Sequence, residues 1–345
     1  MFGTFRYVLA SMVMLAHLGP MSMIHTGYYA VSGFFLLSGY LMTLSLHERY
    51  FLLQNGPGKD AINRLLRVLP SYYVVLLLSI LAVEFWPDTA LSIHERLRMP
   101  NDFTEWMANL LVVPLTGIDG LRSMHNLIPP TWSLAIELVF WMLLPLLVRS
   151  KRTALIWGAL TVVYIFTLIW LNASLQMRYY SYLAASLPFF CGAALYLWRG
   201  KMSAFSWKWL IPLWAMPLTY YLTAPILLSD TIYFSEKWYD GRTLFEGLYL
   251  AMSLNFFVVF ALSRVTLAPL WLMRLDRFLG NLSYPIFLVH VLAAVLVVKL
   301  TDHALPPERS WSLFGGGLVL TNLLAYLLWR FVEHPVQTVR ERFKC

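Results

Sequence analysis

Long apolar runs separated by short polar segments dominate this chain of 345 residues. A bilayer core is about 30 Å thick, and about 20 apolar helical residues are needed to cross it. The runs predict ten transmembrane spans, near residues 4–20, 27–46, 68–86, 132–149, 153–171, 182–198, 208–228, 244–263, 278–300 and 312–333. We therefore expect an all-α polytopic membrane protein with about ten transmembrane helices.

The first run ends in His17-Leu18-Gly19-Pro20 and lacks the small-residue pattern of a signal cleavage site, so we interpret it as the first span. A shorter apolar segment, 103–118, contains polar residues and a proline. It is predicted to be an interfacial or re-entrant segment within an outer loop at 87–131. We expect one transmembrane domain over residues 1–345, with no fused soluble domain.

Composition supports this assignment, because 59% of residues are hydrophobic and only 13% are charged, whereas soluble domains carry about 25% charged residues. The net charge of +8 would suggest a nucleic-acid partner for a soluble protein. Here basic cytoplasmic loops explain it, and we expect no nucleic-acid partner. The only cysteines are Cys191 and Cys345, so no disulfide is expected. The eight histidines are scattered without i, i+4 pairing, so no metal site is expected.

The distribution of basic residues predicts the orientation. With the N-terminus inside, 18 of the 26 Lys and Arg residues lie on the inner side, and the others are Arg96, Arg98, Arg122, Arg178, Lys237, Arg242, Lys299 and Arg309. Cytoplasmic loops carry such an excess of positive charge. The bias places both termini in the cytoplasm, and an even number of spans agrees with this.

Arg6 and His17 are the most informative polar residues, because both lie in the first apolar run. Ionisable residues within spans are costly and usually functional. Eleven positions are close to three helical turns, so the two side chains share one face about 16 Å apart along the axis. One interpretation is that the two residues line a path across the membrane. The other is that Arg6 only marks the cytoplasmic end of the span and His17 only caps its outer end.

Other polar residues of the spans fall into two predicted layers. The outer-to-middle layer holds His17, Glu137 and His290; the inner layer holds Arg6, Arg64, Arg67, Arg330 and Glu333. A carboxylate and an imidazole can form a general base with its orienting partner. We therefore predict that Glu137 pairs with His17. The alternative is a structural bridge between Glu137 and either histidine, and His290 could also be satisfied by a helix carbonyl.

Arg64 and Arg67 are one turn apart at the start of the third predicted span. Guanidinium groups bind phosphate oxygens, so a phosphate-bearing cofactor on the inner face is one interpretation. The other interpretation is that Arg64 and Arg67 are ordinary basic residues flanking a span on the cytoplasmic side, with membrane lipid headgroups as their partners. The small residues Gly33, Ser38 and Gly39 of the second span predict close approach by a neighbouring helix.

Six motifs in this order resemble those of the acyltransferase-3 family of membrane O-acyltransferases. They are Arg6-x10-His17, the block from Gly33-Phe34-Phe35 to Ser38-Gly39-Tyr40-Leu41, Arg64-x-x-Arg67 with Pro70, Trp132-Ser133-Leu134 with Glu137, Ser283-Tyr284 with Phe287-Leu288 and His290, and Glu333 with Pro335. The chain departs from the family pattern at Gly3-Thr4-Phe5, where the family has Asp-Gly before the arginine. It also departs at Leu138, where a second glutamate is common, and at Phe287, which replaces tyrosine. These departures indicate a divergent subgroup.

The resemblance implies transfer of an acyl group, with acetyl expected, from cytoplasmic acyl-CoA to a hydroxyl of a cell-surface or lipid-linked glycan. The expected location is a bacterial inner membrane. His17 would act as general base or carry the acyl group as an acyl-imidazole. Glu137 would orient His17 or balance its charge, and Arg6 would stabilise the thioester oxyanion or bind the phosphates of the donor. Arg64 and Arg67 would bind acyl-CoA. Trp132 and Ser133 would shape the acceptor mouth, and His290 would contact the substrate.

Two alternatives come from other classes. A transporter of glycan or lipid intermediates would use the intramembrane charges as a substrate path, and it would favour paired broken helices in two related halves. No such pairing is visible in the sequence. A non-catalytic partner in a glycan-assembly complex would keep the fold without the activity, and it would tolerate loss of His17.

Overall fold

The computed structural model describes residues 1–112, 125–171, 173, 176–200, 205–206, 208, 241–266, 268–302, 304–305 and 307–341. Most of these residues are helical. The first six α-helices are α1 (Phe2–Leu18), α2 (His25–Glu48), α3 (Gly56–Phe85), α4 (Pro87–Ile93), α5 (Phe103–Leu111) and α6 (Trp132–Leu147). Short 3₁₀ turns lie at Met21–Met23, Tyr50–Leu52 and Pro129–Thr131.

The second half continues in the same way. Its helices are α7 (Lys151–Trp170), α8 (Tyr182–Leu197), α9 (Gly241–Leu262), α10 (Leu270–Leu300), α11 (Trp311–Leu328) and α12 (His334–Glu341). Single π-helical turns occur at Gln176–Tyr180 and Trp329–Glu333. Two short parallel segments, β1 (Phe205–Ser206) and β2 (Val265–Thr266), pair with each other beyond the helices.

The expectation of an all-α polytopic membrane protein is confirmed. Among the described residues, six stretches are long and apolar enough to cross a membrane, namely His25–Leu52, Gly56–Phe85, Pro129–Leu147, Lys151–Trp170, Leu270–Leu300 and Trp311–Glu341. Three shorter apolar helices correspond to further predicted spans: Phe2–Leu18, Tyr182–Leu197 and Leu248–Leu262. The span predicted at 208–228 lies outside the described residues, apart from position 208.

Two predicted elements begin or end elsewhere than expected. Helix α3 begins at Gly56 rather than near residue 68, so Arg64 and Arg67 lie within a 30-residue helix instead of at its start. At 1.5 Å per residue this helix is about 45 Å long, which is more than the hydrocarbon core needs. In the segment predicted at 103–118, α5 has only nine residues, too few for a crossing. Residues 113–118 of that segment lie outside the described part.

Helices α1 and α10 form the centre of the bundle. Helix α1 packs against α10, α2 and α11, while α2 also packs against α8 and α9. In the apolar window of α10, 83% of residues are buried, compared with 33% in α7. Helix α10 therefore belongs to the interior, and α7 presents side chains such as Phe166 and Trp170 outward, where lipid would surround them. The central position of α1 surrounds Arg6 and His17 with other helices.

Small residues allow α2 and α8 to approach closely. A β-carbon at Gly39 would collide with the backbone carbonyl of Phe189, and one at Gly192 would collide with the carbonyl of Leu36. Lipid tails are as apolar as the helix surfaces, so tight packing of this kind, together with polar contacts between helices, holds a membrane bundle. The amide of Asn255 on α9 supplies such a contact by donating to the carbonyl of Tyr29 at 2.8 Å.

We expect Gly39→Val to lower the free energy of unfolding by about 1–3 kcal/mol, because the added side chain meets backbone that cannot move aside. The matched control is Gly315→Val on α11, since a β-carbon at Gly315 meets nothing within 4 Å. Thermal unfolding of the purified protein in detergent measures both variants. Equal midpoints for the two variants would contradict the assigned α2–α8 contact.

Candidate active site

Three cavities lie in a row through the helical bundle. The inner cavity, about 340 Å³, is lined by residues that include Met1, Arg6, Arg67, Asp276 and Arg277. The central cavity, about 120 Å³, is lined by residues that include Arg6, Ser38, Arg64, Arg67, Glu137 and Tyr284. The outer cavity, about 290 Å³, is lined by residues that include His17, His94, Arg96, Trp132, Tyr179 and Arg309.

Shared wall residues show that the three cavities are neighbours. Arg6 and Arg67 line both the inner and the central cavity. Ser133 and Phe287 line both the central and the outer cavity. Helix α1 runs beside the whole row and carries Arg6 at one end and His17 at the other, about 16 Å apart at 1.5 Å per residue. Arg6 and His17 therefore lie in the walls of cavities at different ends of this row.

The central cavity contains one carboxylate among three guanidinium groups. Glu137 accepts a hydrogen bond from the Ser38 hydroxyl at 2.7 Å. Arg6, Arg67 and Arg64 are close enough to attract its negative charge. Glu137 and Asp60, the ion-pair partner of Arg64, balance at most two of the three cations, so one positive charge remains for a negatively charged guest.

The three arginines differ in how they are held. Arg64 donates to Asp60 at 2.8 Å and lies over the Trp141 ring at 5.8 Å. Within the described part of the chain, Arg6 and Arg67 make no hydrogen bond or ion pair closer than 4 Å. Their donors are therefore directed into the inner and central cavities, where phosphate or carbonyl oxygens could accept from them.

Asp276 of α10 fixes the first turn of α1. Its carboxylate accepts from the Thr4 backbone N–H at 2.8 Å, from the Thr4 hydroxyl at 2.9 Å and from the Gly3 N–H at 3.2 Å. Helix α1 has no side-chain cap from its own N-cap residue, Met1. A carboxylate from another helix therefore satisfies these free N–H groups, and it fixes the position of Arg6 less than one turn later.

In the outer cavity, hydrogen bonds define the orientation of His17. Its Nδ1 lies 3.0 Å from the Val13 carbonyl and 3.1 Å from His290 Nε2, while His290 Nδ1 lies 3.1 Å from the Ile286 carbonyl. A carbonyl oxygen can only accept, so each Nδ1 carries the proton in the neutral rings, and His290 Nε2 accepts from His17. His17 Nε2 thus keeps its lone pair for the cavity.

Aromatic side chains line the same cavity as His17. The Trp132 ring lies 5.2 Å from that of Tyr179 and 4.6 Å from that of Tyr180, between ring centroids. Ser133, at the junction of the central and outer cavities, donates to the Pro130 carbonyl at 3.2 Å. Aromatic faces with a few polar groups are typical of small-molecule binding sites. Trp132 and Ser133 both line this cavity, and their predicted role at an acceptor mouth stays a prediction.

The predicted contact between Glu137 and His17 is wrong. Glu137 bonds to Ser38 in the central cavity, whereas His17 bonds to His290 and Val13 in the outer one. Glu137 lies five residues after Trp132, about 7.5 Å farther along α6 at 1.5 Å per residue. This distance takes it out of the wall of the outer cavity and into that of the central one. Glu137 consequently belongs to the layer of Arg6, Arg64 and Arg67.

The remaining predicted residues separate into two groups. His290 is fully buried behind His17 and does not line the outer cavity, so it touches His17 rather than the space for a substrate. Glu333 accepts from Ser71 at 3.1 Å outside the central cavity wall. Arg330 is exposed. Among the described residues, no group of three or more His, Cys, Asp or Glu could hold a metal ion.

Sequence reasoning missed several wall residues. His94, Arg96 and Arg309 come from outer connections yet line the outer cavity beside His17. Burial and then the positive charges of Arg96 and Arg309 lower the pKa of His94 to about 4, so it is neutral near pH 7. Asp276 was also missed, although a single acid between Arg274 and Arg277 was a visible signal.

The fold and its cavities define an integral membrane protein with a polar site inside a helical bundle. The family model described as an acyltransferase domain matches residues 3–330, nearly the whole chain. This chain therefore belongs to the acyltransferase-3 family and is a membrane-associated acyltransferase. No curated protein and no solved structure matches it.

Proposed function

We propose that the protein transfers an acyl group, with acetyl expected, from cytoplasmic acyl-CoA to a hydroxyl of a cell-surface or lipid-linked glycan in a bacterial inner membrane. The observation that carries this proposal is the row of cavities joining Arg6 and Arg67 to His17. This row of cavities suits two substrates that enter from opposite sides of the membrane.

The inner half suits the donor. Coenzyme A carries phosphates, and Arg6 and Arg67 offer guanidinium donors that the described residues do not already occupy. The basic-residue count predicts that this end of the bundle faces the cytoplasm, where acyl-CoA is made. Arg64 supports the same wall through its ion pair with Asp60. The narrow part of acyl-CoA that carries the acyl thioester would extend through the central cavity towards Ser133 and Phe287.

The outer half suits the acceptor. With a glycan hydroxyl against Trp132 and Ser133, His17 Nε2 takes the hydroxyl proton as general base. The hydroxyl oxygen attacks the thioester carbonyl carbon, and the carbon–sulfur bond breaks. The proton on His17 then passes to the leaving thiolate, which departs as free coenzyme A. Arg6, which lies towards the donor, is assigned to donor binding, and Glu137 balances the charge of the central arginines.

The test of this function uses membranes that contain the full chain, labelled acyl-CoA and total cell glycans. Labelled acetyl in glycan above the level of membranes without the protein is the expected result. Succinyl-CoA and longer acyl-CoA donors identify the acyl group if acetyl-CoA gives no label. Absence of label from every donor would overturn the proposal and favour the transporter or the non-catalytic partner.

We expect His290→Leu to lower transfer about tenfold, because it removes the acceptor that orients His17 Nδ1. His290→Gln should keep most activity, since its amide oxygen can accept the same hydrogen bond. Transfer rates at equal expression measure both variants, and thermal unfolding checks folding. Equal rates for Leu and Gln at this position would show that the hydrogen bond does not contribute.

A further inference from the structure

Arg309 is a cation at the wall of the outer cavity, where Glu95 is the acidic side chain that acts on its charge. It lies between α10 and α11, and its Nη1 donates to the Ala16 carbonyl at 3.1 Å and to the Met21 sulfur at 3.3 Å. Within the described ranges no carboxylate lies within 4 Å of it, and no hydrogen bond occupies its Nε or Nη2. Two N–H-bearing nitrogens of a partly buried guanidinium are therefore available to the cavity that contains His17.

The surrounding charges favour an anion there. Arg96 and its acidic partner Glu95 both line this cavity, 4.0 Å apart, and the Glu95 side chain is 84% exposed. An exposed acid is screened by water and neutralises little charge. His94 Nδ1 accepts from the Arg96 backbone N–H at 3.2 Å, so the neutral ring has its proton on Nε2 and is a further donor.

We infer that Arg309 binds a negatively charged group of the acceptor, a carboxylate or phosphate next to the hydroxyl that His17 deprotonates. The inference rests on the proposed function and names the acceptor class as an anionic saccharide. A guanidinium group binds either oxyanion through paired N–H bonds. Arg309 Nη1 donates to the carbonyl of Ala16, the residue before His17. An acceptor whose anionic group binds Arg309 would therefore have its adjacent hydroxyl beside His17.

The test separates glycans from the source cells into neutral and anionic fractions and measures transfer of labelled acyl to each. Label is expected in the anionic fraction. If the acceptor is an acidic sugar, prior reduction of its carboxylates to alcohols should abolish the labelling. If the acceptor is a sugar phosphate, prior treatment with phosphatase or mild acid should abolish the labelling. Equal label in the neutral fraction would overturn the inference while leaving the proposed function intact. No label in any fraction would overturn the proposed function itself.

Variants of Arg309 provide a second measurement. Arg309→Gln is expected to raise KM for the anionic acceptor about tenfold to a hundredfold with a small change in kcat. Arg309→Lys should recover part of the affinity, because it restores the charge without the paired N–H groups. Arg98→Gln is the matched control, since Arg98 is exposed in the same outer region and does not line the cavity.

Arg309 also contacts the last turn of α1, so a purely structural role must be distinguished. A structural role would lower kcat and the unfolding temperature for Gln and Lys alike. It would also leave the preference for anionic over neutral acceptors unchanged. That pattern would overturn the inference. A rise in KM confined to the anionic acceptor, at an unchanged unfolding temperature, is the expected result.

Discussion

Replacement of His17 by alanine is expected to reduce acyl transfer by about 100-fold or more. General acid–base catalysis contributes about 10²–10⁴-fold when the base is correctly placed. His17 offers Nε2 to the outer cavity while Nδ1 is held by Val13 and His290. Among the described residues, the two neighbouring histidines cannot replace it directly. His290 is fully buried behind His17, and His94, whose ring centroid is 6.2 Å away, already accepts a hydrogen bond at Nδ1 from the Arg96 N–H.

Transfer of label from acyl-CoA to glycan, at equal expression, measures this effect. His17→Gln accompanies the alanine variant, since the amide fills a similar volume and separates loss of the base from loss of packing. His334→Ala is the matched control, because His334 is exposed on α12. Activity of His17→Gln close to that of the wild type would exclude both the general-base and the acyl-imidazole mechanism.

Arg67→Gln is expected to raise KM for acyl-CoA about 30-fold or more. Loss of one partner of a buried, hydrogen-bonded charge pair costs about 2–5 kcal/mol, and each 1.4 kcal/mol is a factor of ten. Arg67 lines both the inner and the central cavity, and among described residues it has no ion pair that would compete for a phosphate. The Gln side chain keeps a polar group but removes the charge.

Initial rates at varied acyl-CoA concentration give KM and kcat separately. The control is Arg152→Gln, which removes one exposed positive charge from α7 at the same predicted side of the membrane. Rising salt should weaken donor binding in the wild type and have less effect in Arg67→Gln, because one charge contact is absent. An unchanged KM in Arg67→Gln would place the donor phosphates elsewhere.

Several parts of the site were predictable because they depend on local sequence. Arg6 and His17 are eleven positions apart in one helix, so their relative positions along α1 follow from helix geometry and do not depend on the neighbouring helices. The small residues of α2 indicated close packing, and α8 does approach at Gly39. Pro129 and Pro130 interrupt any preceding helix, so the sequence predicted that Trp132 and Ser133 lie at the start of the next one, and α6 does begin at Trp132.

Contacts between distant segments could not be predicted in the same way. His17 and His290 are 273 positions apart, and their hydrogen bond depends on how α1 and α10 are rotated against each other. The pairing of Glu137 with Ser38 depends on how deeply α6 is set in the bundle. A pattern of polar residues along each helix gives the approximate depth but not the partner.

The sequence by itself determined that the chain crosses the membrane as apolar helices, which polar residues those helices carry, and which family its motifs resemble. Backbone groups in lipid must be satisfied within the helix, so length and hydrophobicity suffice for that conclusion. Only the tertiary structure decided that Glu137 joins the arginines, that His290 orients His17, and that Arg309 reaches the outer cavity. These placements result from side-chain packing between helices, where shifts of a few ångströms exchange one polar partner for another.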